Sequence, residues 1–325
     1  MNDETVLQLE NKIYEGYEIT KEDALKLVDS DLTELANAAD RIRQHFCSNE
    51  FDMCTIINAK SGKCSENCKF CAQSAFYNTE NENYPFLDSD AIFEQAKYNA
   101  ERGVLRFSLV TSGRALSKED IDKACAAIKR IKEKLKLHVC VSVGLLDKEG
   151  YSKLREAGAD RVHNNLEASE NFFKSVCTTH THEDKINSIK AAKEAGLSVC
   201  SGGIIGLGES MEDRIDMALS IRELDVKSIP VNVLSPIKGT PFENNELLSI
   251  DEIRRVVAIF RFINPASNIR LAGGRGRLEN NGEILFKSGA NAAITGDMLT
   301  TLGYSIDSDR KMLESIGYHI TEYKY

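Results

Sequence analysis

Short runs of aliphatic and β-branched residues alternate along this chain with longer stretches whose apolar residues recur every three or four positions. The short runs predict strands over residues 54–58, 105–110, 138–143, 161–166, 197–200, 229–234, 269–272 and 292–295. The longer stretches predict helices over 91–101, 117–135, 148–156, 183–195, 211–223, 250–262 and 279–287. Ser117 with Asp120, and Ser249 with Glu252, have the spacing of a capping box. Ala-Gly or Ser-Gly pairs at 157–158, 195–196 and 288–289 end helices just before strands, glycine accepting the left-handed turn. Eight strands alternating with helices predict the α/β class and a (βα)8-type barrel, with its chemistry at the C-terminal ends of the strands. A doubly wound sheet is the alternative arrangement. Residues 1–45 read as an N-terminal helical extension whose last amphipathic stretch runs over 36–47. Residues 46–302 read as the barrel, and 303–325 as a polar tail held loosely on or near it.

Composition narrows the function. Hydrophobic residues at 42% and charged residues at 28% describe an ordinary soluble chain, and 5 prolines with 21 glycines leave no interdomain linker. Lys+Arg 41 against Asp+Glu 50 gives a net charge of −9, which argues against a nucleic-acid partner. No apolar run is long enough for a membrane span, and the polar, acidic start does not read as a signal peptide. The expected location is the cytoplasm, where thiols stay reduced. The 9 cysteines therefore read as metal ligands or reactive thiols, not a disulfide framework.

The strongest motif is Cys64-Ser-Glu-Asn-Cys68-Lys-Phe-Cys71, directly after the first predicted strand. Three thiolates so close in sequence can converge on one inorganic centre, and thiolate suits zinc or an iron–sulfur cluster. A structural zinc site takes four protein ligands, so the zinc alternative requires a distant fourth donor. A 4Fe-4S cluster held by three cysteines leaves one iron open for an amino acid.

This CxxxCxxC spacing resembles that of the radical S-adenosylmethionine superfamily. Within it, Ala59–Ser74, Asn164-Asn165-Leu166-Glu167, Cys200–Glu209, Pro230-Val-Asn232, Lys238-Gly-Thr-Pro241 and Arg270–Arg275 resemble the biotin synthase family, and the likeness runs from about residue 40 to 300. The resemblance implies a radical-SAM barrel in which a 4Fe-4S cluster reduces S-adenosylmethionine. The resulting 5′-deoxyadenosyl radical abstracts hydrogen from dethiobiotin, and an auxiliary iron–sulfur cluster supplies the inserted sulfur. It further implies an electron donor such as flavodoxin or ferredoxin, and a homodimer.

The same resemblance assigns roles. Cys64, Cys68 and Cys71 match the ligands of the 4Fe-4S cluster. Cys140, Cys200 and Arg270 match ligands of the auxiliary cluster. From the residues alone, a cysteine inside a strand reads first as a small hydrophobe. Other family members often carry a third cluster cysteine where this chain has Ser108. Cys54 on the first strand is expected to replace it, with Cys47 as a further candidate, and the auxiliary cluster is then 2Fe-2S or larger. Asn165 and Glu167, alternate residues in a strand, suit the two ribose hydroxyls of S-adenosylmethionine. The same pair equally suits a solvated turn ahead of the helix that Ser169 starts. Lys185 matches a basic residue that pairs with the methionine carboxylate, and Gly203 and Ile204 border the adenine. His163 and Asn232 match substrate-facing positions; buried in an apolar strand, Asn232 needs a polar partner. Cys125 and Cys177 read as structural, His45, His138, His180, His182 and His319 as surface or satisfied residues, and Phe172-Phe173 as core.

Overall fold

In the computed structural model, which describes residues 2–296 and 303–321, the alternating pattern closes into a barrel. The strands are β1 (Glu50–Lys60), β2 (Arg106–Thr111), β3 (His138–Ser142), β4 (Arg161–His163), β5 (Ser198–Cys200), β6 (Gly203–Ile205), β7 (Ser228–Val233), β8 (Asn268–Leu271), β9 (Ala292–Ile294) and β10 (His319–Ile320). All pair in parallel in the order β1-β2-β3-β4-β5-β7-β8-β9, and β9 returns to β1 through Asp52↔Ala292 and Cys54↔Ile294. β5 and β6 form one interrupted stave, both pairing with β7. The doubly wound alternative is excluded by this closure.

Helices cover the outside because their apolar stripes need the sheet. Helix Ile250–Ile263 lies between the barrel and the lead-in helix Leu32–Cys47, and is buried on almost every side from Val256 onward. Each of its fully buried aliphatic or aromatic side chains contributes about 1.5–3 kcal/mol of transfer free energy. Its one buried cation, Arg261, is satisfied by the carbonyls of Gly289 (2.9 Å), Pro265 (2.9 Å) and Ser267 (2.6 Å) and by Asn291 Oδ1 (2.7 Å).

Several expectations shift. The lead-in contains three helices, Asn2–Tyr14, Lys21–Lys26 and Leu32–Cys47. The helix expected over 279–287 is broken: Asn280, Asn281 and Gly282 have φ of 49°, 57° and 72°, so only Glu283–Phe286 is α-helical. The described part of the tail, residues 303–321, is not loosely held. Helix Ile306–Ser315 anchors through Asp309, whose carboxylate takes both Arg275 and Asn281 inside the protein. β10 adds to the start of β1, and the buried Tyr318 hydroxyl donates to the carbonyls of Phe286 and Ala290, both at 2.9 Å. The expected barrel boundary at residue 302 lies outside the described residues.

Candidate functional site

The cysteine loop follows β1 and folds back on itself. Cys64 N–H donates to Gln73 O (3.0 Å), Ala75 N–H to Cys64 O (2.8 Å), and Cys71 N–H to Cys68 O (3.0 Å). The Ser74 hydroxyl ties down Glu66 O at 2.6 Å. Cys64, Cys68 and Cys71 are thereby half-buried around a cavity of about 180 Å³ that Asn165, Glu167, His163 and Lys185 also line. Three soft donors on one side of a pocket, with polar side chains opposite, fit a cluster carrying a bound polar ligand.

A second cavity of about 370 Å³ lies within the barrel and shares Cys71, His163, Asn165 and Glu167 with the first. Cys54, Cys140 and Cys200 line it with Arg106, Arg161 and Arg270. Alternation along the strands turns these residues inward, and parallel register puts Cys54 beside Arg106, Ser108 beside Cys140, and Cys200 beside His163. The three guanidiniums surround buried Asp52, Arg270 at 2.8 Å and Arg106 and Arg161 each at 3.5 Å. Burial opposes the charge of Asp52, yet the three arginines hold its carboxyl well below the usual range. The three guanidiniums gathered around this one carboxylate give this end of the cavity a positive character that suits an anionic occupant. Burial alone would raise the Cys140 thiol; its hydrogen bond with Cys54 and the Arg106 and Arg161 charges outweigh that and lower it. The hydrogen bond with Cys140, then burial, push Cys54 up, and burial raises Cys200. Three cysteines and three arginines lining one cavity fit an anionic iron–sulfur group. Ser108 lines the same wall without a soft donor.

Cys47 is not brought to this cavity. Its sulfur lies 3.4 Å from Arg261 NH1 and near the carbonyls of Pro265 and Ser267, just before β8 begins. This corrects the expectation of Cys47 as a further ligand, because β1 carries Cys54 inward and leaves Cys47 at the opposite end of the barrel.

The remaining residues converge on the mouth. β4 ends at His163 instead of 166, because Glu167 takes a left-handed φ of 71°. Its N–H still reaches Gly202 O (3.1 Å), and Ile204 N–H reaches Glu167 O (2.9 Å). Asn165 accepts from Gly202 N–H (3.1 Å) and donates to Glu167 Oε2 (3.2 Å), so amide and carboxylate form one rim and not a solvated turn. A Cβ at Gly203 would lie 2.6 Å from Glu167 O and 2.3 Å from Met217 Sδ, so the backbone there packs into the wall while Ile204 lines the cavity. Asn232 lines it as well, and its amide joins Gly203 O (3.0 Å) to Gly273 N–H (2.9 Å). Burial lowers the His163 pKa and favours the neutral ring. Lys185 Nζ lies 3.4 Å from Asn164 Oδ1.

Sequence reasoning missed Asp52, Arg106 and Arg161. Their signal was present: each stands in or at the edge of an apolar run, in phase with an inward residue such as Ser108. It also assigned Cys177 and His180 to the background, whereas both are buried against the cysteine loop.

Comparison with known proteins agrees with this geometry. The Radical SAM superfamily pattern matches residues 59–221, and the Biotin and Thiamin Synthesis associated domain matches 230–319. The chain is 60% identical to the biotin synthase of Brachyspira hyodysenteriae over 96% of this chain and 94% of that protein. It is 53% identical to biotin synthase 2 of Corynebacterium diphtheriae, covering 98% and 96%. It is 51% identical to the biotin synthase of Clostridium botulinum, covering 97% and 99%. Among solved structures, methylornithine synthase superposes with a TM-score of 0.84 at 23% identity, covering 97% of each chain. The maturase HydG from Carboxydothermus hydrogenoformans gives 0.81 at 17%, covering 97% of this chain and 79% of that one. These last two speak for the fold alone. Near-full-length identity at this level, with both domain patterns in place, makes the chain a member of the biotin synthase family of radical SAM enzymes.

Proposed function

We propose that this chain forms biotin by radical insertion of sulfur into dethiobiotin. The observation that carries the reading is the pair of adjoining cavities, one lined by Cys64, Cys68 and Cys71 and the other by Cys54, Cys140 and Cys200 together with the shared Cys71, with Asn165 and Glu167 on the shared wall. Cys64, Cys68 and Cys71 would hold the 4Fe-4S cluster, and Cys54, Cys140, Cys200 and Arg270 the auxiliary one. When bound, the first supplies the electron that cleaves S-adenosylmethionine, and the second supplies sulfur.

The chain's own residues bind, orient and shield. Asn165 and Glu167 present an acceptor-rich edge to the ribose hydroxyls, and Lys185 stands ready to pair with the methionine carboxylate. The Gly203–Ile204 wall offers a flat apolar face to adenine. His163 and the part of the Asn232 amide not engaged with the backbone are donors and acceptors for the ureido ring of dethiobiotin. Ile56, Val110, Ile204 and Ile294 line the interior and exclude water, which protects a reactive carbon centre. The place of Cys54 supports its replacing the missing third thiol, since it lines the same cavity wall as Cys140 and Cys200.

The reading extends to a flavodoxin or ferredoxin as electron donor, a homodimer, and a cytoplasmic location; among the described residues no helix is long and apolar enough to cross a membrane. An anaerobic assay with dethiobiotin, S-adenosylmethionine and reductant tests the core of it. Biotin formation is expected; 5′-deoxyadenosine production independent of dethiobiotin, with no biotin, would refute the substrate.

A further inference from the structure

We infer that, before its cluster is in place, the chain carries a tetrahedral site for a single soft divalent metal, zinc above all, built from Cys68, Cys177 and His180. The observations lie in the contact between the cysteine loop and the segment after helix Glu170–Val176. Cys68 Sγ is 3.7 Å from Cys177 Sγ, and Cys177 Sγ is 3.3 Å from His180 Nδ1. All three donor atoms lie within 4.8 Å of one another. Zinc bonds of about 2.3 Å to sulfur and about 2.0–2.1 Å to nitrogen, at tetrahedral angles, separate two sulfurs by about 3.8 Å and a sulfur from a nitrogen by about 3.5 Å. The two edges that meet at Cys177 therefore match those of a zinc tetrahedron to within a few tenths of an ångström, and the third, from Cys68 to His180, is no longer than 4.8 Å.

Hydrogen bonds of Asn67 and Lys69 to the last residue of helix Glu170–Val176 and the segment after it hold the two parts together without these three side chains. Asn67 Oδ1 accepts from the N–H groups of Thr178 (2.9 Å) and Thr179 (3.2 Å), while its amide donates to Thr178 Oγ1 at 2.7 Å. Lys69 N–H donates to Val176 O at 2.9 Å. Glu66 Oε2 takes the Thr179 hydroxyl at 2.7 Å and sits 2.5 Å from His180 Nδ1, a hydrogen bond that metal binding at Nδ1 would replace, with the ring proton then carried on Nε2. Cys177 and His180 are 2% and 7% exposed and Cys68 is half-buried, so two of the three ligands are withdrawn from solvent. Two thiolates and an imidazole form a soft set that selects zinc over magnesium or calcium. Metal binding releases the two thiol protons, together with any proton on Nδ1, to solvent and changes no oxidation state.

Cys68 also belongs to the CxxxCxxC set, so the single metal and the cluster compete for its sulfur. That competition rests on the cluster reading above; the metal site itself does not.

Cobalt(II) titration of the cluster-free full-length chain, followed by zinc displacement, tests the site. The expected result is a tetrahedral cobalt spectrum with a thiolate-to-cobalt charge-transfer band. The band should be lost in Cys177→Ser and Cys68→Ser, weakened at least tenfold in apparent affinity in His180→Ala, and retained in Cys64→Ser and Cys140→Ser. Circular dichroism establishes that each variant is folded. A band that survives Cys177→Ser, or depends on Cys64 or Cys140, overturns the proposal, as does the absence of any tetrahedral band. In a second measurement, zinc loaded beforehand should slow iron–sulfur reconstitution, read by iron retained, in the natural chain but not in Cys177→Ser. Equal slowing in both would assign the zinc to the CxxxCxxC cysteines alone and refute the site.

Discussion

Replacing Asp52 by asparagine keeps the shape of the barrel floor and removes its one negative charge. Asp52 is 3% exposed and faces Arg270 at 2.8 Å and Arg106 and Arg161 at 3.5 Å. Taking one partner from a buried ionic group leaves uncompensated charge and costs about 3–5 kcal/mol. Here three guanidiniums would remain without their shared counterion, so the upper part of that range is expected for the cluster-free chain. An anionic cluster in the cavity above would offset the loss, so the loaded protein should be destabilised less. The pH dependence has a definite sign. The folded carboxyl lies below its ordinary value, so its contribution is complete above about pH 4, where the unfolded aspartate is ionised, and is lost as pH falls toward the folded value. The gap between the natural chain and Asp52→Asn should therefore be widest at neutral pH and narrow in acid. Urea unfolding of both proteins, cluster-free, at neutral pH and near pH 3 measures it. A loss below about 1 kcal/mol at neutral pH, or a gap that widens in acid, would refute the charge argument.

Three further outcomes are expected. Cys54→Ala should lower iron content beyond that of the three-cysteine cluster, measured on anaerobically reconstituted protein; unchanged iron would remove Cys54 from the auxiliary site. Glu167→Gln should weaken S-adenosylmethionine binding by about tenfold or more by equilibrium titration, since a hydrogen bond to a charged group contributes about 1.5–3 kcal/mol; equal affinity would assign Glu167 to the fold alone. Asp309→Ala strands Arg275 inside the protein and should cost about 3–5 kcal/mol in denaturant unfolding, much of it recovered when Arg275 is also made apolar, whereas no recovery would rule out charge burial as the cause.

The barrel was legible because each of its parts carries a local pattern. The strand over 138–143 is a β-branched run, helix Ile250–Ile263 has a capping serine in Ser249, and Ala195-Gly196 ends a helix where a strand must begin. The cysteine loop was legible because its ligands lie close in sequence. Cys140 and Cys200 were legible only through the family resemblance: by itself a thiol among valines reads as core, and barrel closure is what places both on the cavity that holds Cys54. Asp52, Arg106 and Arg161 show the same limit, since a charge at a strand's edge looks solvated until the ring curves it inward. β6 stayed hidden because three residues are too short a run to read as a strand, and its Gly203 is there because a Cβ would lie 2.6 Å from Glu167 O. The tail was misjudged because its polar helix buries chiefly Asp309 and a few apolar side chains, and an ion pair has no periodicity.

The pairing of β1 has a consequence for how the molecule is made. Its opening residues hydrogen-bond β10, and the next ones β9, which emerge from the ribosome some 240 residues and more after it. Until then one side of β1 is a bare ladder edge, open to pairing with other nascent chains. Dependence on chaperones should therefore concentrate in the last stage of synthesis, and a ribosome stalled before residue 292 would release a product prone to aggregate however complete its cysteine loop.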